Sequence, residues 1–361
     1  MKRLILLLNV ILFISCTTKP STALESISNY KLKFSKISKL EKMPKGLYGM
    51  SYVTDGKYIY VINGKSQKNK LKPVTYKSAR LNLMTEAISV NTQDIFAYNI
   101  ETNKWFIYPD NLNAKVYGNA EYIDGNIYIF NGQYQINDGY TVREGVNKKV
   151  EVFNTKTNNV SIIENNPFPT YQAGSAKWNG KVYVFGGALS QHLISNNLLE
   201  YDPKTDEWKR LSDMPYRGQV KGEIIEGVLY TFGGCLGNSR SSKDIYSYDI
   251  SNDKWNYIGE MPKRLSANAI TMHGEFIWLI GDYSNLSRVS AFNTKTNEFI
   301  NIKSNLLGRR YAGAEIIGNK LFVFGGARES QNSYVNSIQV ADITEIEKII
   351  SSNRIDSKMT Y

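Results

Sequence analysis

Cysteine and histidine are nearly absent from this chain: there are two of each in 361 residues. Two histidines, His192 and His273, exclude the multi-histidine metal centres of zinc and copper enzymes, so no metal and no cofactor is expected. The cysteines are Cys16 and Cys235. If Cys16 carries another group, no partner remains for an internal disulfide. The fold must then rest on its apolar core, which 42% hydrophobic residues can supply. Cys235 directly follows a Gly-Gly doublet and reads as a small buried thiol. No Gly-x-Ser-x-Gly elbow, phosphate-binding loop or dinucleotide fingerprint occurs. The formal charge is +11, but no Lys/Arg-rich helix or zinc spacing accompanies it, which argues against nucleic acid. The basicity points instead to an anionic ligand, an acidic partner or an anionic surface.

No apolar run reaches the roughly 20 residues of a membrane helix. The longest, residues 4–15, follows Lys2 and Arg3 and has the form of a signal peptide over residues 1–15. Leu12-Phe13-Ile14-Ser15-Cys16 resembles a bacterial lipobox, with Phe13 in place of the usual leucine, and implies lipidation at Cys16. Residues 16–29 are then expected to be a lipidated polar tether, and the protein an exported, membrane-anchored monomer.

The most informative pattern is a doublet that follows a short apolar strand six times: Asn63-Gly64, Asn131-Gly132, Gly186-Gly187, Gly233-Gly234, Gly281-Asp282 and Gly325-Gly326. Successive spacings of 68, 55, 47, 48 and 44 residues are those of a propeller or solenoid repeat. Each unit reads as four strands; in the fourth these are Val220 to Ile225, Val228 to Phe232, Asp244 to Asp249 and Lys254 to Ile258. An aromatic and a partner seven residues later recur as Tyr98/Trp105, Phe153/Val160, Tyr201/Trp208, Tyr248/Trp255 and Phe292/Phe299, and Met-Pro closes several units.

Doublet, Tyr-Asp turn, spaced Trp and Met-Pro together resemble the kelch repeat over roughly residues 30–344. That resemblance implies an all-β fold, a six-bladed kelch β-propeller of four-stranded antiparallel blades, with residues 345–361 as a C-terminal tail. The sixth unit lacks a fourth strand. Either residues 33–44, ending in Met43-Pro44, return to complete it and close the ring, or Glu345–Ile350 does so.

Antiparallel blades place the loops after each doublet on the same face as the connections between units. That face collects Lys65, Lys68, Lys70, Lys72, Lys77, Arg80, Arg240, Lys243 and Arg328, and, from the connections, Lys115, Arg217, Arg264, Arg309 and Arg310. Arg217 and Arg309 align in the repeat, with Arg264 equivalent or one residue off. Guanidinium groups there suit a carboxylate, sulfate or phosphate, or brace neighbouring blades. Tyr48, Tyr117 and Tyr311 follow, with Tyr171 and Tyr216 nearby, either to stack on sugar rings or to fill space between blades. Six residues past the arginine slot stand Glu121, Glu223 and Glu315, with roughly Val53, Ala176 and Ile270 in the other units.

Two readings follow. One is a binding module that takes an anionic glycan, a sugar acid or a protein on its basic face, through Arg217, Arg264, Arg309, Arg310, Glu121, Tyr48, Tyr117 and Tyr311. The other rests on a fold-level likeness to exported kelch epimerases of N-acetylneuraminate, with Glu223 and Glu315 as catalytic acid and base. A copper oxidase of the kelch fold is disfavoured because the two histidines fall on opposite faces.

Overall fold

A computed structural model describes residues 25–67, 89–109, 112–137, 142–190, 192–238, 240–328 and 333–350. The segment read as a signal peptide, Cys16, and the loop residues Lys68, Lys70, Lys72, Lys77 and Arg80 lie outside the described residues.

After β1 (Glu25–Leu32), blade one is built from β2 (Ser51–Thr54), β3 (Tyr58–Ile62), β6 (Ile95–Asn99) and β7 (Lys104–Tyr108), with β4 (Lys65–Gln67) and β5 (Ser89–Asn91) as a hairpin inserted after the doublet. Blade two is β8 (Asn119–Ile123), β9 (Asn126–Phe130), β12 (Lys149–Asn154) and β13 (Val160–Asn165), with the inserted hairpin β10 (Gln133–Asn137) and β11 (Val142–Val146). Blade three is β14 (Gly174–Trp178), β15 (Lys181–Phe185), β16 (Leu198–Asp202) and β17 (Glu207–Arg210). Blade four is β18 (Gln219–Ile225), β19 (Val228–Cys235), β20 (Asp244–Asp249) and β21 (Lys254–Glu260). Blade five is β22 (Ala269–His273), β23 (Phe276–Ile280), β24 (Val289–Asn293) and β25 (Glu298–Ser304). Blade six is β26 (Gly313–Ile317), β27 (Lys320–Phe324) and β28 (Ile338–Asp342). The innermost strands β2, β8, β14, β18, β22 and β26 touch in that order, and β26 meets β2 again, so the ring is closed.

A four-stranded blade has two faces and too little of its own chain to cover them, so apolar surface is buried between blades. Six apolar clusters do this, one at each blade junction; Trp278 and Val323 share the cluster between blades five and six, and Phe324 and Val61 that between six and one. The spaced aromatics are cross-strand partners in register: Tyr98 faces Trp105, Tyr201 faces Trp208 and Tyr248 faces Trp255. The hydroxyls of Tyr98 and Tyr201 donate to Asn103 and Asp206 at 2.7 Å, and both acceptors sit in turns at positive φ.

The first residue of every doublet is left-handed, with φ between 54° and 64°. Asparagine replaces glycine at 63 and 131 because, among side-chain-bearing residues, it tolerates this conformation best. The second residue then points its N–H at the next blade. Gly64, Gly132, Gly187, Gly234 and Gly326 donate to the carbonyls of Lys115, Thr170, Gly218, Leu265 and Leu47 at 2.7–3.1 Å.

A second circuit runs the other way around the channel mouth. Tyr117 N–H donates to Gly49 O (2.6 Å), Gln172 to Tyr117 (3.0 Å), Gly49 to Tyr311 (3.2 Å) and Tyr311 to Ala267 (2.7 Å). All five residues are left-handed, at φ 51° to 62°. Blade four has no counterpart: its connection is one residue shorter, and Gln219 pairs with Cys235 where β18 carries an irregularity.

Residues 33–44 do complete blade six. Ser35 N donates to Val340 O at 2.8 Å, and Met43 N to Asn336 O at 2.7 Å, as Met214 and Met261 bond to Asn196 and Lys243 in their own blades. Glu345–Ile350, the other candidate for that strand, lies in a helix over 344–350 instead. The tether expectation is corrected at its end: residues 25–29 belong to β1, which adds a parallel fifth strand outside β25. Among the described residues no helix is long and apolar enough to cross a membrane.

Left-handed backbone costs an L-residue about 1–2 kcal/mol, more than the roughly 0.4–1 kcal/mol that glycine loses to unfolded-chain entropy. Ala267→Gly is therefore expected to raise the urea midpoint, by up to about 1 kcal/mol in stability; Ala267→Val should lower it.

Candidate functional site

The central channel is pinched into two chambers. The upper one, at the mouth on the doublet-loop face, has a volume of about 460 Å³ and is walled by Tyr117, Tyr171, Tyr283, Tyr311, Gln172 and Gln219. The lower one, about 260 Å³, holds Glu121, Glu223, Glu315, Ser175 and Lys177. Met50, Tyr52, Gly118 and Lys221 border both and form the waist. Tyr52 acts as a crossbar. Its hydroxyl donates to Ile270 O (3.2 Å) and accepts from Ile270 N–H (3.1 Å), tying blade one to blade five past the intervening blade six.

The mouth tyrosines pack as a connected group. Tyr48 lies 4.8 Å from Tyr334 and 5.9 Å from Tyr117, and Tyr117 lies 5.2 Å from Tyr311, between ring centroids. Gln172 Nε2 reaches the Tyr311 hydroxyl at 3.4 Å. Burial pushes the Tyr311 phenol up to about 12 and those of Tyr48 and Tyr117 upward as well, so all three stay neutral. Tyr216 lies outside this wall, stacked on Tyr246 at 4.9 Å.

The arginines, read from the sequence as either ligand-binding or bracing, divide by depth. Arg309 is fully buried, and its guanidinium donates to the carbonyls of Leu307, Gly325 and Ser337 and to Gln339 Oε1. Burial lowers its pKa to about 9; its bonds tie the connection entering blade six to the doublet and third strand of that blade. Its equivalent in blade two, Lys115, is also fully buried and ion-paired with Glu151; it too leaves the basic face. Arg217 and Arg264 share a repeat position one residue before that of Arg309. Both are exposed and latch a loop, Arg217 to Ile194 O at 3.1 Å and Arg264 to Ser241 O. Arg310 lies over the exposed ring of Tyr283, 4.2 Å from its centroid, at the rim of the mouth. Lys243 pairs with Glu260, while Arg240 and Arg328 are exposed.

The three glutamates do occupy one register position, opposite Tyr128, Tyr230 and Phe322. In the other blades Val53, Ala176 and Thr271 stand there, so Thr271 replaces the expected Ile270. Protein surrounds each carboxylate although part of each side chain faces the channel. Desolvation pushes Glu315 up to about 8 and raises Glu223 and Glu121; neighbouring carboxylates add to the first two, while Lys177 and a 2.7 Å bond from Ser175 hold Glu121 back. The structure does not bring these glutamates together with Arg217, Arg264 or Arg310: the waist lies between. Cys235 is half-buried and lines the mouth chamber rather than the core, a correction due to the longer β18–β19 pairing. His192 also lines the mouth, whereas His273 Nδ1 contacts Glu347 at 2.8 Å beside the helix over 344–350.

A closed ring of six β-blades around a two-chambered channel defines a repeat-built β-propeller with its loops gathered at one mouth. The chain belongs to the kelch-repeat family, because residues 118–326 match the KLHDC2/KLHL20/DRC7 Kelch-repeats domain. It is similar to Kelch-like protein 38 of Rattus norvegicus, at 27% identity over 66% of this chain and 40% of that protein. Beta-scruin of Limulus polyphemus is 23% identical over 41% of this chain and 16% of its own length. The chain thus spans less than half of these relatives. A solved structure, "Structure of YjhT", superposes with a TM-score of 0.66 at 15% identity, covering 85% of this chain and 97% of the other, which shows the shared fold.

Two predictions test the buried charges. Removing one member of a buried pair strands the other, at about 3–5 kcal/mol; Glu151→Ala should lose that much in urea unfolding, and Glu151→Ala with Lys115→Met clearly less. For Glu315 the folded pKa lies above the unfolded value, so its contribution is greatest below about pH 4.3 and is lost as pH rises through about 8. Glu315→Gln should therefore be more stable than wild type at pH 9, with the gap closing by pH 5.

Proposed function

We propose that the protein binds a small acidic sugar, free or at the end of a glycan, in the mouth chamber. The observation that carries this reading is the make-up of the wall: four tyrosines beside the amides of Gln172, Gln219 and Asn268, with the Arg310 guanidinium 4.2 Å over the ring of Tyr283. Sugar C–H faces pack on aromatic rings, and sugar hydroxyls pair with amides and neutral phenols. A guanidinium kept in place by a cation–π contact can grip a carboxylate with two parallel bonds. The volume, about 460 Å³, falls in the usual range of about 300–1,000 Å³ for ligand sites. In the same proposal the protein is exported and tethered by lipid on Cys16, with the propeller presenting its mouth to soluble or surface glycans.

A protein partner is the second reading. Leu189 and Leu193, in the loop after the third doublet, are 45% and 51% exposed, and Tyr283 is 59% exposed. Apolar side chains exposed on a polar rim suit a protein interface. An enzyme that combines Arg217, Arg264 or Arg309 with Glu223 or Glu315 on one substrate finds less support, since Arg309 is internal and the glutamates lie below the waist.

Calorimetric titration with N-acetylneuraminate tests the reading. Saturable binding is expected, weakened by about tenfold or more in Arg310→Gln and Tyr311→Ala. Arg217→Ala and Arg264→Ala should change it by less than about threefold, because those side chains latch loops. No saturable heat with acidic sugars would overturn the sugar reading.

A further inference from the structure

The waist of the channel carries a lysine that sugar binding does not employ. Lys221, on the innermost strand of blade four, lines the floor of the mouth chamber and the roof of the glutamate chamber. Its Nζ donates to Ala173 O at 3.1 Å, while Glu121 and Glu223 act on it through space. An ammonium on the border between an aromatic cavity and a nest of carboxyl groups is placed for amine chemistry. We propose that Lys221 is a nucleophile that condenses with the carbonyl group of a small aldehyde or ketone seated in the mouth chamber.

The environment supplies what this condensation needs. Desolvation brings the Lys221 amine down to about 8, against the opposing pull of Glu121 and Glu223, so a share of it is neutral near physiological pH. The groups around it come from every innermost strand: Tyr52 from β2, Glu121 from β8, Lys177 from β14, Glu223 beside it on β18, and Glu315 from β26, with uncharged Thr271 and Met272 from β22. Glu315 lines only the glutamate chamber below the waist, so proton transfer to and from the ligand falls to solvent entering the open mouth. The nitrogen lone pair attacks the carbonyl carbon, and the C=O π pair moves to oxygen, which takes a proton from solvent water. The nitrogen gives a proton back to solvent. The hydroxyl of this carbinolamine is then protonated and leaves as water, forming C=N. In sum the carbonyl oxygen and both amine protons depart as one water, and a further proton from solvent rests on the imine nitrogen. No oxidant or reductant enters. The inference needs the mouth chamber but not an acidic ligand, so it stands or falls apart from sugar binding.

The test is reductive trapping on the intact protein with glycolaldehyde and cyanoborohydride, read by peptide mass spectrometry across pH 6–10. Lys221 is expected to be labelled at least about tenfold faster than any other lysine at pH 7. Its rate should level off near pH 8, while surface lysines climb toward their usual pKa of about 10.4. In Lys221→Arg the fast site should vanish with the remaining lysines unchanged. Labelling of Lys221 no faster than its neighbours, a rate still climbing above pH 9, or a fast site that survives in Lys221→Arg would each overturn the proposal.

Discussion

The backbone hydrogen bonds passed from blade to blade at the channel mouth are the constraint on which the rest depends. No blade covers its own apolar faces, and each of the six clusters spans a junction. The blades must therefore be held at a fixed angle and spacing. The doublets do this in one direction and the left-handed run Ala267, Tyr311, Gly49, Tyr117 and Gln172 in the other. A backbone bond cannot be lost to side-chain substitution alone, but it requires φ angles that most residues resist. Glycine and asparagine at the doublets meet that demand cheaply. Two tyrosines, a glutamine and an alanine in the inner run meet it at a cost, which packing of the mouth tyrosines offsets.

The same demand explains which parts of the molecule were legible in the sequence. The doublets and spaced aromatics mark positions where one backbone geometry recurs, so they revealed the blade number, the cross-strand pairs and the loop face. Met43-Pro44 revealed how the chain returns to complete blade six. Depth was hidden. Arg309 and Arg264 differ by one repeat position, yet the first is internal and the second exposed. The missing residue in blade four obscured that shift, since it moved Arg217 into apparent alignment with Arg309. The inserted hairpins and β1 were also invisible, because their pairing is set by neighbours distant in sequence rather than by a repeated local pattern.

The chemistry of the channel lining divides in the same way. Above the waist the chamber is aromatic and neutral, with one stacked guanidinium at its rim. Below it, three carboxylates share a confined space with Lys177 and Lys221. Burial raises the three carboxylates and lowers Lys221. Tyr52, bonded twice to Ile270, keeps the two environments apart. Two cations that a linear reading assigns to a binding face, Lys115 and Arg309, instead fasten the connections entering blades two and six to those blades.

In the proposed binding mode, ligand enters at the mouth and stops at the waist. Hydrogen exchange followed by mass spectrometry, with and without saturating N-acetylneuraminate, measures this directly. Protection is expected in peptides that contain Tyr117–Gly118, Tyr171–Gln172 and Arg310–Ala312, with no change in the turns at residues 54–57 and 202–207 on the opposite face. Protection confined to those opposite turns, with the mouth peptides unchanged, would contradict it.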